Sequence, residues 1–281
     1  MITGPQTWTP AVYHTDPCDD PSLSSSCAKE LVTKSPAHAR LRHPRFGADR
    51  GERTEATTDG SLFHALLLGV GMDEIAIIDA DNFRTKAAQE ARDTAIGAGK
   101  TPVLARKRDA MQWTADNART KLRDRFGIDV DAATREQAIA WTEESHGHAV
   151  QCRGLLDVWT GDEIIDVKSC DSAHPRACQK HIEAYGYDIQ HEAYTRGAML
   201  AHGLDRKPVM RFVFCELEKP HAITVVRLAP SFEELGGLRW GRAVDLWSAC
   251  TRSGVWPEYA DGEVVVEAPA WALQAAMEGA E

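Results

Sequence analysis

Cys152-Arg153-Gly154-Leu155-Leu156-Asp157-Val158-Trp159-Thr160-Gly161-Asp162-Glu163-Ile164-Ile165-Asp166-Val167-Lys168 is the stretch whose reading decides the fold. Two apolar, β-prone runs flank Thr160-Gly161-Asp162, and a short Gly-containing link between such runs predicts a β-hairpin. Side chains alternate along a strand, so Ile164, Asp166 and Lys168 share one face while Ile165 and Val167 share the other. Antiparallel pairing carries Asp157 towards that acid–base pair. Carboxylates from two strands, completed by water and phosphate oxygens, suit Mg²⁺, a hard cation that seldom accepts an all-protein cage. Such an ion lowers the pKa of bound water and screens phosphate charge, and a nearby lysine can hold or deprotonate the attacking water. A surface hairpin with a solvated Asp–Lys face is the competing reading of the D-x₈-D-x-K spacing alone.

Downstream, residues 177 to 202 have helical spacing, and Gln190 and Tyr194, four apart, stack on one face of that helix. An Asp, then Asp-x-Lys on a strand, then a helix with Gln-x-x-x-Tyr resembles the PD-(D/E)xK nucleases of the RecB and lambda-exonuclease type. Within that group, the run from Trp141-Thr142-Glu143 through Cys152-Arg153, Asp157, Asp166-Val167-Lys168 and Gln190 to Tyr194 is similar to the RecE-type exonuclease (exonuclease VIII). Tyr13-His14, Pro21 to Ser26 and Leu31 to Pro36 resemble the opening of RecE-type domains, so the likeness covers about residues 13 to 230.

The resemblance implies an α/β, restriction-endonuclease-like PD-(D/E)xK core, a mixed central sheet flanked by helices, with an N-terminal helical elaboration. Gly60-x-x-x-His64 resembles the first motif of the RecB-type nucleases, which makes His64 a metal and phosphate ligand. From spacing alone, a lone histidine on an apolar helix is more often packed and hydrogen-bonded. The implied metal set is His64, Asp157, Asp166 and the Val167 carbonyl, with Lys168 orienting water and Gln190 and Tyr194 bonding the phosphate or Lys168. Glu143 is a further candidate acid, though an exposed strand-end carboxylate is the plainer identity. The ion is Mg²⁺, and the imidazole makes Mn²⁺ an expected substitute. Ser24 caps a helix ending before Pro36; Ser24, Ser25 and Ser26 are ordinary caps or phosphate contacts, and Arg153 is a further candidate for DNA contact.

The activity implied is 5′→3′ digestion of linear double-stranded DNA, as in phage or prophage recombination, leaving a 3′ overhang for a RecT-like single-strand annealing protein. Relatives are processive as rings of subunits, so a homo-oligomer is expected. A PD-(D/E)xK endonuclease or single-strand-specific nuclease would keep every motif, and a non-catalytic DNA-binding module would not need Asp157, Asp166 and Lys168 intact. Some members of the superfamily hold an iron–sulfur cluster on one cysteine before the core and three after it. Here only Cys215 and Cys250 follow the core, so no cluster is expected.

The remaining composition bounds the problem. At 281 residues and 43% hydrophobic content the chain can bury one sizeable core, and no apolar run reaches the length of a membrane span. Met1 to Pro5 lack the basic and apolar segments of a signal peptide, which places the chain in the cytoplasm. Seven scattered cysteines without a C-x-x-C pair are expected as free thiols. The net charge of −10 argues against coating DNA by charge alone. Two basic groups could still track phosphates: Arg40, Arg42, Arg45 and Arg50, and a second from Lys100 to Arg125 in which Asp109, Asp116 and Asp124 interleave.

Asp59 to Gly69 predicts an apolar helix stopped by glycine, and residues 84 to 126 a helix, a brief extended segment and a helix. Gln137 to Glu143 is expected as the first strand of the sheet, and Val209 to Glu216 with Ala222 to Leu228 as a second hairpin. A helix from Ser231 to Thr251 carries Trp240 and Trp247 as packing residues, and the Ala- and Glu-rich tail is a short terminal helix or a frayed end. One domain over 1–281 follows, with a mainly helical part at 1–130, a catalytic core at 135–230 and a helical part at 231–281.

Overall fold

The Cys152–Lys168 stretch forms two antiparallel strands in the middle of a six-stranded sheet, joined by a turn in which Gly161 takes a φ of +106° and Thr160 Oγ1 accepts the Glu163 N–H. The computed structural model describes residues 1–47 and 55–278. Arg50, read above as part of a basic group, lies outside the described residues.

From the N-terminus the chain runs β1 (Gly4–Gln6), α1 (Pro10–Tyr13), α2 (Ser25–Thr33), α3 (Pro36–Arg42) and α4 (Glu55–Leu68). Then come β2 (Ile75–Ile78), α5 (Lys86–Gly97), β3 (Thr101–Leu104) and α6 (Ala105–Phe126). The central part is β4 (Thr134–Ser145), β5 (His148–Trp159), β6 (Glu163–Cys170), α7 (Pro175–Tyr185), α8 (Tyr187–His202), β7 (Val209–Glu216) and β8 (Ile223–Val226). Two helices finish it, α9 (Pro230–Ser253) and α10 (Ala270–Glu278).

The main sheet has the order β1-β4-β5-β6-β7-β8. Its β6–β7 pair is parallel, because α7 and α8 provide the crossover that parallel strands need, and its other pairs are antiparallel. The sheet is therefore mixed, as expected, but β1 precedes β4, so the strand expected to be first is second along the edge. A separate parallel pair, β2 and β3, packs with α5 and α6.

Both faces of the sheet are covered. On one, Leu23, Trp141, Leu156, Ile164, Ile189, Phe212, Trp240 and Trp247 form a cluster with α2, α8 and α9. On the other, Leu62, Phe63, Leu67, Leu122, Val158, Ile165, Val167 and Val213 pack with α4 and α6. Each such side chain contributes about 1.5–3 kcal/mol over leaving it in water. Strand alternation assigns the faces: Ile164 belongs to the first cluster and Ile165 and Val167 to the second.

The helix expected over 177–202 is two helices. Gly186, at φ +67°, caps α7 in the left-handed conformation, and α8 starts again at Tyr187. Ser24 caps α2 as expected, its Oγ accepting the Cys27 N–H at 3.4 Å. Three cations of the second basic group are engaged within the fold: Arg119 donates to the Leu66 and Leu67 carbonyls and Lys121 to that of His221, while Lys107 pairs with Asp59. Among the described residues no helix is long and apolar enough to cross a membrane.

Candidate active site

The site lies where β5 and β6 fork. Their ladder registers Val158 with Ile165 and Trp159 with Ile164, and then the strands part. At the fork the Asp157 side chain replaces a strand partner, its Oδ2 accepting the Val167 N–H at 2.7 Å. Across the other edge of β5, Glu136 sits opposite Asp157, between the registered pairs Arg135–Val158 and Gln137–Leu156. Glu136 has a φ of +52°, a left-handed conformation costing on the order of 1–3 kcal/mol, within strand β4. Both strands depart from regular geometry at the one level where two carboxylates face each other.

One helix reaches the fork from each face of the sheet. Gly60 lets α4 press against β6, since a Cβ there would lie 2.7 Å from Ser169 Oγ. Four residues on, His64 places Nε2 3.0 Å from Asp157 Oδ2 and Nδ1 3.4 Å from Glu136 Oε1. From the opposite face α8 brings Gln190, whose Nε2 donates to Asp166 Oδ1 at 2.6 Å, and Tyr194 one turn beyond. Lys168 Nζ lies 2.6 Å from Asp166 Oδ2 and 4.5 Å above the centroid of the Tyr187 ring. A cavity of about 490 Å³ joins His64, Glu136, Asp157, Asp166, Val167, Lys168, Gln190 and Tyr194, with Tyr13, His14 and Ser26 also on its wall. Val167 meets it at the backbone, because its side chain packs in the cluster with α4.

Burial and mutual charge set the protonation of these groups. Burial, with Asp157 adding to it, pushes the Glu136 carboxyl up to about 7. Asp166 rises to about 6, again from burial, with Lys168 opposing and Asp157 reinforcing the shift. For Asp157 burial pulls upward too, but His64, Lys168 and the Val167 N–H together outweigh it and hold the carboxyl below its usual range. His64 is pushed up to about 9, the Asp157 charge overcoming burial, and Lys168 is raised by Asp166 in the same way. The cluster thus carries several acids close together and two cations that balance them in part.

That donor set fits a divalent cation. Donor atoms of His64, Glu136 and Asp157 all lie within 4.8 Å of one another, and this is the one such convergence of His, Cys, Asp and Glu among the described residues. Asp166 Oδ2 is buried without a directed hydrogen bond, although Lys168 is close. Hard carboxylate oxygens with one imidazole and room for water match Mg²⁺ or Mn²⁺ and lack the thiolates that softer metals select. The residues whose donor atoms converge to hold an ion are His64, Glu136 and Asp157, while the two Asp166 oxygens face Gln190 and Lys168.

Other residues singled out from sequence are placed elsewhere. Arg153 is 4% exposed, and its Nη1 is 3.0 Å from Asp16 Oδ1 and donates to the Ser22 carbonyl and hydroxyl, so it pins the chain before α2 and presents nothing to DNA. Glu143 is 6% exposed; its Oε1 accepts from Trp141 Nε1 and Trp240 Nε1, and Arg196 Nε bonds both its oxygens, which makes it the anchor of a buried network away from the cavity. Of the three serines Ser26 borders the cavity, and Ser24 and Ser25 do not. Glu136 is the site residue that the sequence reading missed. It lies one position before the expected strand, and its partnership with Asp157 depends on a register that only the folded sheet fixes.

Comparison with known proteins bears on the family and the fold. Residues 24–266 match the family model described as a PDDEXK-like domain of unknown function (DUF3799). A solved structure of a candidate exonuclease from Eubacterium rectale is similar at a TM-score of 0.60 and 12% identity, covering 96% of this chain and 99% of that one, a likeness that shows the fold alone. A phage-related exonuclease from Haemophilus somnus matches at 14% identity over 83% of this chain and 97% of its own, but its TM-score of 0.32 is too low to carry an argument. No curated protein matches the sequence. With the mixed sheet flanked by helices and a family match over most of its length, the chain belongs to the PDDEXK-like domain family of unknown function and has the PD-(D/E)xK nuclease fold.

Proposed function

We propose that this protein is a divalent-metal-dependent nuclease that digests linear double-stranded DNA from its 5′ ends. The observation that carries the reading is the convergence of Asp157, Asp166 and Lys168 on one cavity that His64, Glu136 and Gln190 complete. A divalent ion, when bound, lowers the pKa of water and screens phosphate charge. The chain's own groups do the rest. Lys168, its pKa raised by Asp166, stays protonated near neutral pH, so its task is donation: it orients water and offsets charge on a phosphate oxygen. Gln190 holds Asp166 in place through Oδ1, which leaves Oδ2 facing the cavity and the lysine. Tyr194, buried and with its phenol pKa pushed well above the usual value, remains a neutral donor on the cavity wall.

The 5′ polarity is supported by the wall formed by Ser26, Tyr13 and His14, where the first turn of α2 ends at the cavity. Free N–H groups at a helix start favour a terminal phosphate. The imidazole of His64 makes Mn²⁺ as good an activator as Mg²⁺. A ring of subunits around DNA and a RecT-like annealing protein that takes the 3′ overhang would complete the pathway; both rest on the likeness to RecE-type exonucleases.

End-labelled duplexes test this. Linear DNA with a 5′ phosphate should be degraded in Mg²⁺ or Mn²⁺, the 5′-hydroxyl form more slowly, and covalently closed circles not at all. Cutting of closed circles would make the enzyme an endonuclease, and release of label first from 3′ ends would reverse the polarity.

A further inference from the structure

Beside the active cavity lies a second one, of about 550 Å³, on the other side of the seam where Gly60 of α4 meets Ser169 of β6. The two are linked through one side chain contact. Tyr187 lines the second cavity and holds Lys168 Nζ over its ring, 4.5 Å from the centroid. From Tyr187 an aromatic wall continues: its ring lies 5.7 Å from Phe212 and 6.2 Å from Phe214, and Tyr185 stands 5.8 Å away with His181 a further 5.5 Å along. Phe214 is fully buried beneath, while Tyr185 is 52% exposed with the flexible Lys29 side chain placing Nζ 5.4 Å from its ring centroid, so the wall has a packed base and a solvent-facing edge.

The charges around this cavity select against the DNA backbone. Asp171, Glu216 and Glu218 line it against Lys219, with Glu216 Oε1 already accepting the Ala173 N–H, and the Asp59 carboxylate on its wall is paired with Lys107. Carboxylates repel phosphate but accept from the amino groups of base edges, such as cytosine N4. An open aromatic wall with acceptors around it suits a planar, uncharged, hydrogen-bond-donating ring.

We propose that this aromatic cavity is a nucleobase-binding subsite that takes a base of the strand being cut, with Tyr185 as the stacking platform and Tyr187 as the wall shared with Lys168. The inference rests on the nuclease reading above and adds what that reading lacks, a contact to the base. Stacking there fixes the nucleotide relative to Lys168, and the subsite tolerates different bases because every base has a π-face.

The test scans a single abasic residue through the first nucleotides of a 5′-labelled duplex. At one position the wild-type protein should lose about tenfold in kcat/KM relative to the intact strand, the size of one lost base–aromatic stack. Tyr185→Ala should cut the intact strand about tenfold more slowly and no longer discriminate against the abasic one, while Tyr185→Phe keeps the discrimination. The proposal is overturned if no position discriminates or if Tyr185→Ala discriminates as the wild type does. Binding separates this from failure of the nuclease reading: without metal, an oligonucleotide carrying 2-aminopurine should be quenched by the wild type and not by Tyr185→Ala. Cleavage absent with quenching present leaves the subsite standing, and equal quenching by both proteins removes it.

Discussion

Replacing Glu136 with Gln should move two properties in opposite directions. Without metal, Glu136 is a buried acid beside Asp157, and its pKa stands at about 7 against an ordinary 4.5. An acid with a raised folded pKa binds its proton more tightly in the native state, so native stability falls as pH rises from about 4.5 to about 7 and is flat above that. At 1.36 kcal/mol for each pKa unit the cost at pH 8 is on the order of 3 kcal/mol. Glu136→Gln removes it, so the metal-free variant should be more stable than the wild type at pH 8, by on the order of 2–3 kcal/mol, and no more stable at pH 4. With metal that advantage should shrink or vanish. Losing a ligand should weaken affinity by at least the ~10–100-fold that outer-sphere partners cost. At a concentration of Mn²⁺ 100 times the wild-type Kd the wild type gains about 2.7 kcal/mol, and the variant about 0.4–1.4 kcal/mol. Thermal unfolding in EDTA and across a Mn²⁺ titration reads both effects. A variant that is destabilised without metal, or that gains as much from Mn²⁺ as the wild type, would refute the placement of Glu136 among the ligands.

Other substitutions test the frame that holds the site. Arg153→Met leaves Asp16 buried without its guanidinium partner, and should cost about 3–5 kcal/mol in urea unfolding, with part regained in the Asp16→Asn/Arg153→Met double variant. Gly236→Ala puts a Cβ 2.3 Å from the Asp188 carbonyl oxygen, so α9 must move off α8; a loss of about 1–3 kcal/mol, and a Tm lower by several degrees, is expected. His191 is buried with its pKa pushed down to about 4 by burial, so the unfolded chain binds the extra proton between pH 6.5 and 4. Stability should be full above pH 6.5 and fall by up to roughly 3 kcal/mol on acidification to pH 4, and His191→Phe should remove that part of the pH dependence.

The features legible in the sequence are those fixed by neighbours along the chain. Thr160-Gly161-Asp162 announces its turn, and period-two alternation places Asp166 and Lys168 together; the cap at Ser24 and the glycine stop after α4 are equally local. Gly186 also carried a local signal, since a glycine after Tyr185 suffices to end α7, but uninterrupted helical spacing concealed it. What could not be read depends on distant partners. Arg153 looks like a cation available to DNA until Asp16 and Ser22, far away in the chain, are found to enclose it. Glu143 looks like a strand-end acid until Arg196 and two tryptophans surround it. Glu136 becomes a site residue through a backbone irregularity at the level of Asp157, which no spacing rule encodes.

The account stands or falls on Lys168→Ala, assayed in parallel for Mn²⁺ binding by calorimetry and for digestion of 5′-labelled linear duplex. Since Lys168 is a donor beside the ligands and not one of them, the variant should bind Mn²⁺ at least as tightly as the wild type and digest DNA roughly 10²–10³ times more slowly. Digestion at the wild-type rate by the folded, metal-bound variant would contradict it.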